Sequence, residues 1–334
     1  MSNINKLEDI GFYTLRDDRA RNASQYSPLW RNEVIITSLC NFKCPYCRGT
    51  DINGVQGHMK YVNICNILDF FAKERIQNIR FSGGEPTIHP NIRDIIRYTK
   101  KTCTDIKHIA VSSNGFADKE LYKELTELGV NDWSISLDAC CASVGDIMSG
   151  GIEGAWNKVV NTIECLSKLT YVTVGVVLNE SNAKDIVNII EFASGLGVAD
   201  IRIISAAQWN SFDIFKDLVI DERILNKHPI LKYRLNNFKN GRNVRGICEN
   251  DTHKCPLILD DMIVKGDYHY PCVIKMREGC NPIGRMSEGT IRRDRYEYYK
   301  NHDTYCDGIC RQNCLDVCID YNNKYEEFHK IICN

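Results

Sequence analysis

The sequence predicts an α/β chain, a partial (β/α)6 TIM-like barrel with a small C-terminal cysteine-rich domain behind it. Short apolar runs alternate six times with longer amphipathic stretches between residues 34 and 204, and nine of the seventeen cysteines fall in residues 248–334. Strand followed by helix, repeated in series, is the grammar of a parallel sheet covered by helices. The boundaries read as an N-terminal extension over 1–30, the barrel over 31–210, a bridging segment over 211–247 and the cysteine-rich domain over 248–334. The bridge is polar, contains Pro229 and ends in the Asn-rich NNFKNGRN, the composition of a connection.

In chain order, the strand candidates are 34–39, 79–81, 109–112, 133–137, 172–178 and 201–204, each short and apolar. Between them, 64–75, 92–99, 119–128, 155–169 and 184–196 space their apolar residues three and four apart, which predicts helices. In such a barrel the residues just after each strand line the active mouth.

With 42 Lys+Arg against 43 Asp+Glu the formal charge is -1, so bulk charge gives no reason to expect nucleic acid or an anionic membrane as partner. Arg285, Arg292, Arg293, Arg295 and Lys300 form a local basic stretch that reads as a solvated face. The N-terminus has no apolar h-region and no apolar run is long enough to span a bilayer, so the expected location is cytoplasmic. Seventeen cysteines in such a chain point to metal ligation or redox chemistry, not a disulfide scaffold.

Cys40, Cys44 and Cys47 follow the first strand with three and two residues between them. Three thiolates at that spacing wrap one corner of a small inorganic core and leave its fourth metal position without a cysteine. A structural zinc site wants four protein ligands, and the next candidates are the more distant His58 and the helical Cys65. An iron-sulfur cluster suits the donor set better. The C-x3-C-x2-C triplet, with Tyr46 before its last cysteine, resembles the signature of the radical S-adenosylmethionine (SAM) superfamily. That resemblance implies a [4Fe-4S] cluster whose open iron chelates SAM, and a 5'-deoxyadenosyl radical that removes a substrate hydrogen.

Other positions resemble the same family in order at strand ends. Ser82-Gly83-Gly84-Glu85-Pro86 is similar to its glycine-rich loop, where Gly83 and Gly84 let backbone approach the ligand and Glu85 faces the cofactor's amino group. The resemblance also implies Ser136 for the carboxylate or ribose, Asn114 for the shape of the pocket, and Asn182, ahead of Asn179, for the ribose. Ile204, with Ile203 and Ser205, is then placed to pack on the adenine. A turn or strand cap is the plain alternative for the polar residues.

The tail has its own spacing: Cys248, Cys255, Cys272, then Cys306, Cys310, Cys314 and Cys318 at intervals of four, then Cys333. One continuous helix would hold Cys306 and Cys318 about 18 Å apart, too far for a single cluster. At least two sites, or a helix broken at Asp307-Gly308, are required. This pattern looks like the SPASM extension, which binds two auxiliary [4Fe-4S] clusters. The resemblance implies one cluster on Cys248, Cys255, Cys272 and Cys318 and another on Cys306, Cys310, Cys314 and Cys333. Spacing departs from the usual pattern at Gly266 to Cys272 and at Cys306 to Cys310. A shorter relative with one cluster, on Cys255, Cys272 and two of the 306–318 group, is the alternative, and an all-zinc tail is chemically allowed.

Three further cysteines lack a cluster role. Cys140 and Cys141 follow Asp138 at the mouth of the fourth strand, and Cys280 lies in REGCNPIG. Cys280 and Cys141 are the hydrogen-donor candidates, with packing as the plain alternative. Asp138 is the leading acid-base candidate, and Asp260, Asp261, Asp267 and His269 could reach in from the tail. The expected enzyme uses SAM to oxidise a peptide, with a flavodoxin- or ferredoxin-like electron donor. Dehydrogenation or epimerisation of an aminocyclitol or sugar is the alternative, and a nonenzymatic iron-sulfur carrier would not need the cofactor loops. Only about 30 residues precede the first strand, which leaves little room there for a peptide-recognition module.

Overall fold

The computed structural model describes residues 19–49, 57–210, 215 and 217–330. Six parallel strands form the barrel wall: β1 (Arg31–Thr37), β2 (Asn78–Gly83), β3 (His108–Ser113), β4 (Asp132–Ser136), β5 (Tyr171–Leu178) and β6 (Asp200–Ser205). The connecting helices are α1 (Tyr61–Lys73), α2 (Ile92–Thr102), α3 (Lys119–Leu128), α4 (Ala142–Met148), α5 (Ala155–Ser167) and α6 (Ile186–Gly195). All six strands and all five long helices lie where the periodicity predicts them, and α4 is the addition. The first strand stops at Thr37, two residues short of its predicted end, where its pairing with β2 shifts register.

Strand alternation divides the barrel into two chemistries. Val34, Ile36, Phe81, Val111, Trp133, Val174 and Ile203 belong to one continuous apolar core with Ile95, Ile96, Leu125, Ile163 and Ile190 of the helices. Each such aliphatic side chain contributes roughly 1.5–3 kcal/mol by leaving water. The alternate positions are polar: Ser82, Ser112, Ser134, Ser136 and Arg202 line a cavity, while Ser82 Oγ donates to Glu33 Oε1 at 2.5 Å. Arg80 pairs with Asp132 at 3.6 Å. Period-two alternation thus aims one face at the helices and the other at the interior.

The bridging segment contains α7 (Pro229–Lys239), which packs against β6. Its N-terminus is clasped by Asp200, whose carboxylate accepts from the Ile230 and Leu231 amides at 3.0–3.4 Å. In the tail, β7 (Asp261–Lys265), β8 (Tyr268–Tyr270) and β9 (Gly284–Arg285) extend the same sheet, in the order β6-β5-β4-β3-β2-β1-β7-β8-β9. β7 pairs parallel with β1, and Ile35, Ile263, Tyr270 and Met276 close a small core between them.

Around this hairpin lie α8 (Val273–Arg277), α9 (Ile291–Asn301), α10 (Gly308–Asn313) and α11 (Asp316–Lys330). Asp307 and Gly308 start a helix instead of breaking one, because the Asp307 side chain accepts from the Cys310 amide as an N-cap. The break falls between α10 and α11, beside Cys314. A fully buried ion pair, Arg234 to Asp316 at 2.8 Å, ties α7 to α11. Among the described residues no helix is long and apolar enough to cross a membrane.

Candidate active site

A cavity of about 280 Å³ opens at the carboxyl ends of the barrel strands, and Cys40, Cys44 and Cys47 line it. Their loop is fixed at several points. Tyr46 Oη donates to Asp138 Oδ2 at 2.5 Å, Gln208 Nε2 donates to the Tyr46 carbonyl at 3.2 Å, and the Lys43 amide donates to the Ser149 carbonyl at 3.1 Å. Gly150, at φ +94°, lies so close that an added Cβ would stand 2.9 Å from the Lys43 nitrogen.

The loop also aims donors at sulfur. The Phe42 amide lies 3.4 Å from Cys40 Sγ and the Gly49 amide 3.4 Å from Cys47 Sγ. Burial, with Asp138, Cys47 and Cys40 nearby, pushes the Cys44 thiol up to about 12, and burial raises Cys40 as well. Crowded thiols of this kind ionise when a cation joins them, and N–H···S contacts stabilise the thiolate form. No fourth cysteine and no histidine is among the residues lining the cavity. The donor set therefore fits an iron-sulfur cluster held by three thiolates, with one metal position open.

Gly83 and Gly84 line the cavity, and their lack of a side chain is required by the barrel itself. A Cβ would meet the Thr37 carbonyl oxygen at 2.0 Å from Gly83 and the Leu39 carbonyl oxygen at 2.1 Å from Gly84. Glu85 takes a different place from the expected one. Its carboxylate accepts from the Thr87 amide and hydroxyl, Ser113 Oγ and the Asn114 amide, at 2.7–3.0 Å, and does not line the cavity. Burial raises this carboxyl above its ordinary range despite the four bonds, so Glu85 braces the loop ends.

Asn114, Ser136 and Ile204 line the cavity as expected of ligand-facing positions. Asn114 Nδ2 donates to Asn41 Oδ1 at 2.7 Å and lies 4.0 Å from Cys40 Sγ. Asn182 is fully buried and spent internally: Nδ2 donates to the carbonyls of Asp138 and Val177, and Oδ1 accepts from the Asn179 amide. Its amide closes the β5 turn and leaves no group for a ribose. Asp138 lines the cavity, but its oxygens hold Tyr46 and the Val177 amide, and burial lifts its carboxyl to about 6.

Neither cysteine chosen as hydrogen donor lines the cavity. Cys141 is exposed at the start of α4, within 3.4 Å of Ser143 Oγ, and Cys280 sits in the tail against its neighbour's carbonyl. Residues with no motif to mark them complete the wall, among them Met148, Trp156, Arg202, Arg245 and Arg277. Doubled glycine at 150–151 is the one sequence signal for the surface that seats the cysteine loop.

Residues 34–193 match the Radical SAM superfamily. That span contains the triplet, all of strands β2 to β5 and the greater part of β1. The chain carries a radical SAM domain. Among curated proteins, it is 28% identical over 175 residues to a probable GTP 3',8-cyclase of Sulfolobus acidocaldarius, covering 51% of this chain and 54% of that protein. It is 30% identical over 105 residues to the GTP 3',8-cyclase of Chlorobaculum tepidum, covering 31% and 32%. The chain spans about half the length, or less, of these two relatives.

Solved structures match far more of it. A histidine-tagged anSMEcpe with bound AdoMet aligns with a TM-score of 0.62 at 15% identity, over 91% of this chain and 96% of that one. SuiB of Streptococcus suis bound to its precursor peptide SuiA aligns with a TM-score of 0.58 at 12% identity, over 84% and 66%. At these identities the likeness establishes the fold, and it extends past the radical SAM domain into the tail.

Behind the radical SAM domain, three of the four cysteines that the resemblance allots to one cluster, Cys255, Cys272 and Cys318, come together, with Cys310 and Cys314 close by. Burial with Cys255 and Cys318 nearby raises the Cys272 thiol, and Cys272 and Cys255 add to the burial that raises Cys310, while the Cys314 thiol donates to the Leu315 carbonyl at 3.9 Å. The resemblance sets Cys314 apart from Cys318, yet the two stand close enough to raise the Cys314 thiol, Cys314 at the extended end of α10 and Cys318 in the first turn of α11. Cys310 Sγ also lies 3.6 Å from His302 Nε2, with Asp307 beside them. Cys248 and Cys306 are exposed, and Cys333 lies outside the described residues.

Proposed function

We propose that this chain is a radical SAM enzyme that oxidatively modifies a peptide. Cys40, Cys44 and Cys47 hold the [4Fe-4S] cluster, and Gly83, Gly84, Asn114, Ser136 and Ile204 surround SAM. When bound, the cluster and SAM supply a 5'-deoxyadenosyl radical that removes a substrate hydrogen. Three converging thiols at the strand mouth, with no fourth protein ligand lining the cavity, carry this reading. Asp138 acts on the cysteine loop through Tyr46 and the β5 backbone. A flavodoxin- or ferredoxin-like donor delivers the electron.

Support for a peptide comes from the tail-inclusive likeness to anSMEcpe and SuiB, both solved with peptides bound. A small-molecule substrate is the second reading, favoured by sequence relatives that are GTP 3',8-cyclases. In the tail, Cys255, Cys272, Cys314 and Cys318 form one auxiliary [4Fe-4S] ligand set, supported by their mutual proximity. Cys310, with His302 and Asp307, stands beside it.

Anaerobic reconstitution with SAM and dithionite tests the core of the reading. The wild type should release 5'-deoxyadenosine and the Cys40→Ala variant should not; equal release by both would refute it. An iron count of about eight per chain supports one auxiliary cluster, and about twelve restores two. Transfer of substrate deuterium into 5'-deoxyadenosine from a labelled peptide, and not from labelled GTP, separates the two substrate classes.

A further inference from the structure

We propose that Arg202, Arg245 and Arg277, which line the cavity, form an oxyanion-binding subsite that takes a carboxylate or phosphate of the substrate. This inference rests on the function proposed above. Charged side chains lining the cavity are four arginines, Arg48 being the fourth, and a single acid, Asp138. They come from separate parts of the chain: Arg48 follows the cysteine triplet, Arg202 lies on β6, Arg245 precedes the tail and Arg277 ends α8. Barrel and tail therefore supply the same charge to one space.

Their existing partners leave capacity unused. Arg48 pairs with Glu278, but none of Arg202, Arg245 and Arg277 makes an ion pair with a described carboxylate. Arg202 Nε is buried without a partner, and its Nη2 reaches only Ser134 Oγ at 3.4 Å. Arg245 is held by two carbonyls, Ser205 through Nε at 3.2 Å and Asn313 through Nη1 at 3.3 Å, which fix the guanidinium without neutralising it.

The interior surroundings are cationic too. Glu33 is fully buried, which raises its carboxyl, yet Arg277, Arg80 and Arg31 together hold it below its usual range. Burial first, then neighbouring guanidinium groups, lowers Arg202 to about 9 and Arg245 to about 10. Arg202 and Arg245 have only Glu33 and Asp316 as counter-charges, neither in contact, so their burial is costly, and an oxyanion reduces that cost through paired N–H···O bonds. A neutral sugar or an apolar side chain would leave the cost in place.

Binding of inorganic pyrophosphate and of glutarate to the reconstituted full chain, measured by calorimetry at low ionic strength with saturating SAM, tests the subsite. One-site binding should weaken at least ten-fold in Arg277→Gln and in Arg202→Gln, and stay unchanged in Arg93→Gln on the outer surface. Tighter pyrophosphate assigns a phosphate, and tighter glutarate a carboxylate. Arg277 is exposed, so its variant remains informative if Arg202→Gln fails to fold. Absence of saturable binding, equal binding by wild type and Arg277→Gln, or competition with SAM would each overturn the subsite, the last by giving the arginines to the cofactor. 5'-deoxyadenosine release is read on the same samples. Failure of that release refutes the proposed function, while the binding data stand separately.

Discussion

Tyr46 Oη and Asp138 Oδ2 stand 2.5 Å apart across 92 positions of sequence, joining the cysteine loop to the end of β4. Asp138 is buried and Tyr46 half-buried, and the same carboxylate holds the Val177 amide at 2.7 Å, so one side chain sets the loop against two strands. Tyr46→Phe removes a charge-assisted bond of about 1.5–3 kcal/mol and strands Asp138. Reductive 5'-deoxyadenosine formation should fall about ten-fold or more. Unchanged turnover together with unchanged SAM affinity would show that the tether is dispensable.

Gly84→Ala should fail for a reason internal to the barrel. Its Cβ would lie 2.1 Å from the Leu39 carbonyl oxygen, a backbone atom that cannot swing away. A loss of about 2–4 kcal/mol is expected, read as a lower melting temperature, with iron content reduced as the cysteine loop is displaced. Gly151→Ala, with open space around its Cβ but φ +84°, should show only the smaller backbone penalty.

Asp200 makes stability pH-dependent. Burial, working against four amide contacts to Ile230, Leu231 and Ile201, lifts its carboxyl from 3.8 to about 7. The native state then holds the proton more tightly than the unfolded chain between those values. Its contribution is complete at low pH and is lost as pH rises from about 4 to 7, amounting to about 4 kcal/mol. Asp200→Asn should narrow its melting-temperature deficit, or gain an advantage, as the buffer moves from pH 5 to pH 8. A constant difference across that window would remove Asp200 as the titrating group.

Arg234 and Asp316 are both fully buried at 2.8 Å. Arg234→Met leaves an unpaired buried carboxylate and should cost about 3–5 kcal/mol. The double variant with Asp316→Asn removes both charges while keeping an acceptor for Asn237 Nδ2, which lies 2.8 Å away. Recovery of most of the lost stability in denaturant melts is the expected outcome. Additive losses would mean that Asp316 serves α7 through Asn237 alone.

The barrel was readable because Val, Ile and Phe on one face of each strand produce a signal dense enough to survive without context. Its interior was not. Arg80, Asp132 and Arg202 occupy alternate positions of those strands and look, one at a time, like a solvated face. The cysteine triplet was readable because its ligands are local, whereas Arg245 and Arg277 reach the cavity only through tail packing. Asn182 and Glu85 show the opposite failure. A polar group at a strand end looks the same in sequence whether it faces a ligand or mends the backbone, and here both close the protein's own hydrogen bonds.

β1, the strand that carries the cysteine loop, is complete only when β7 lies against it, and β7 is synthesised more than two hundred residues later. Until residue 265 has left the ribosome, β1 has an open parallel edge, a template for intermolecular pairing. The radical-generating half therefore should not be separable as a minimal fragment.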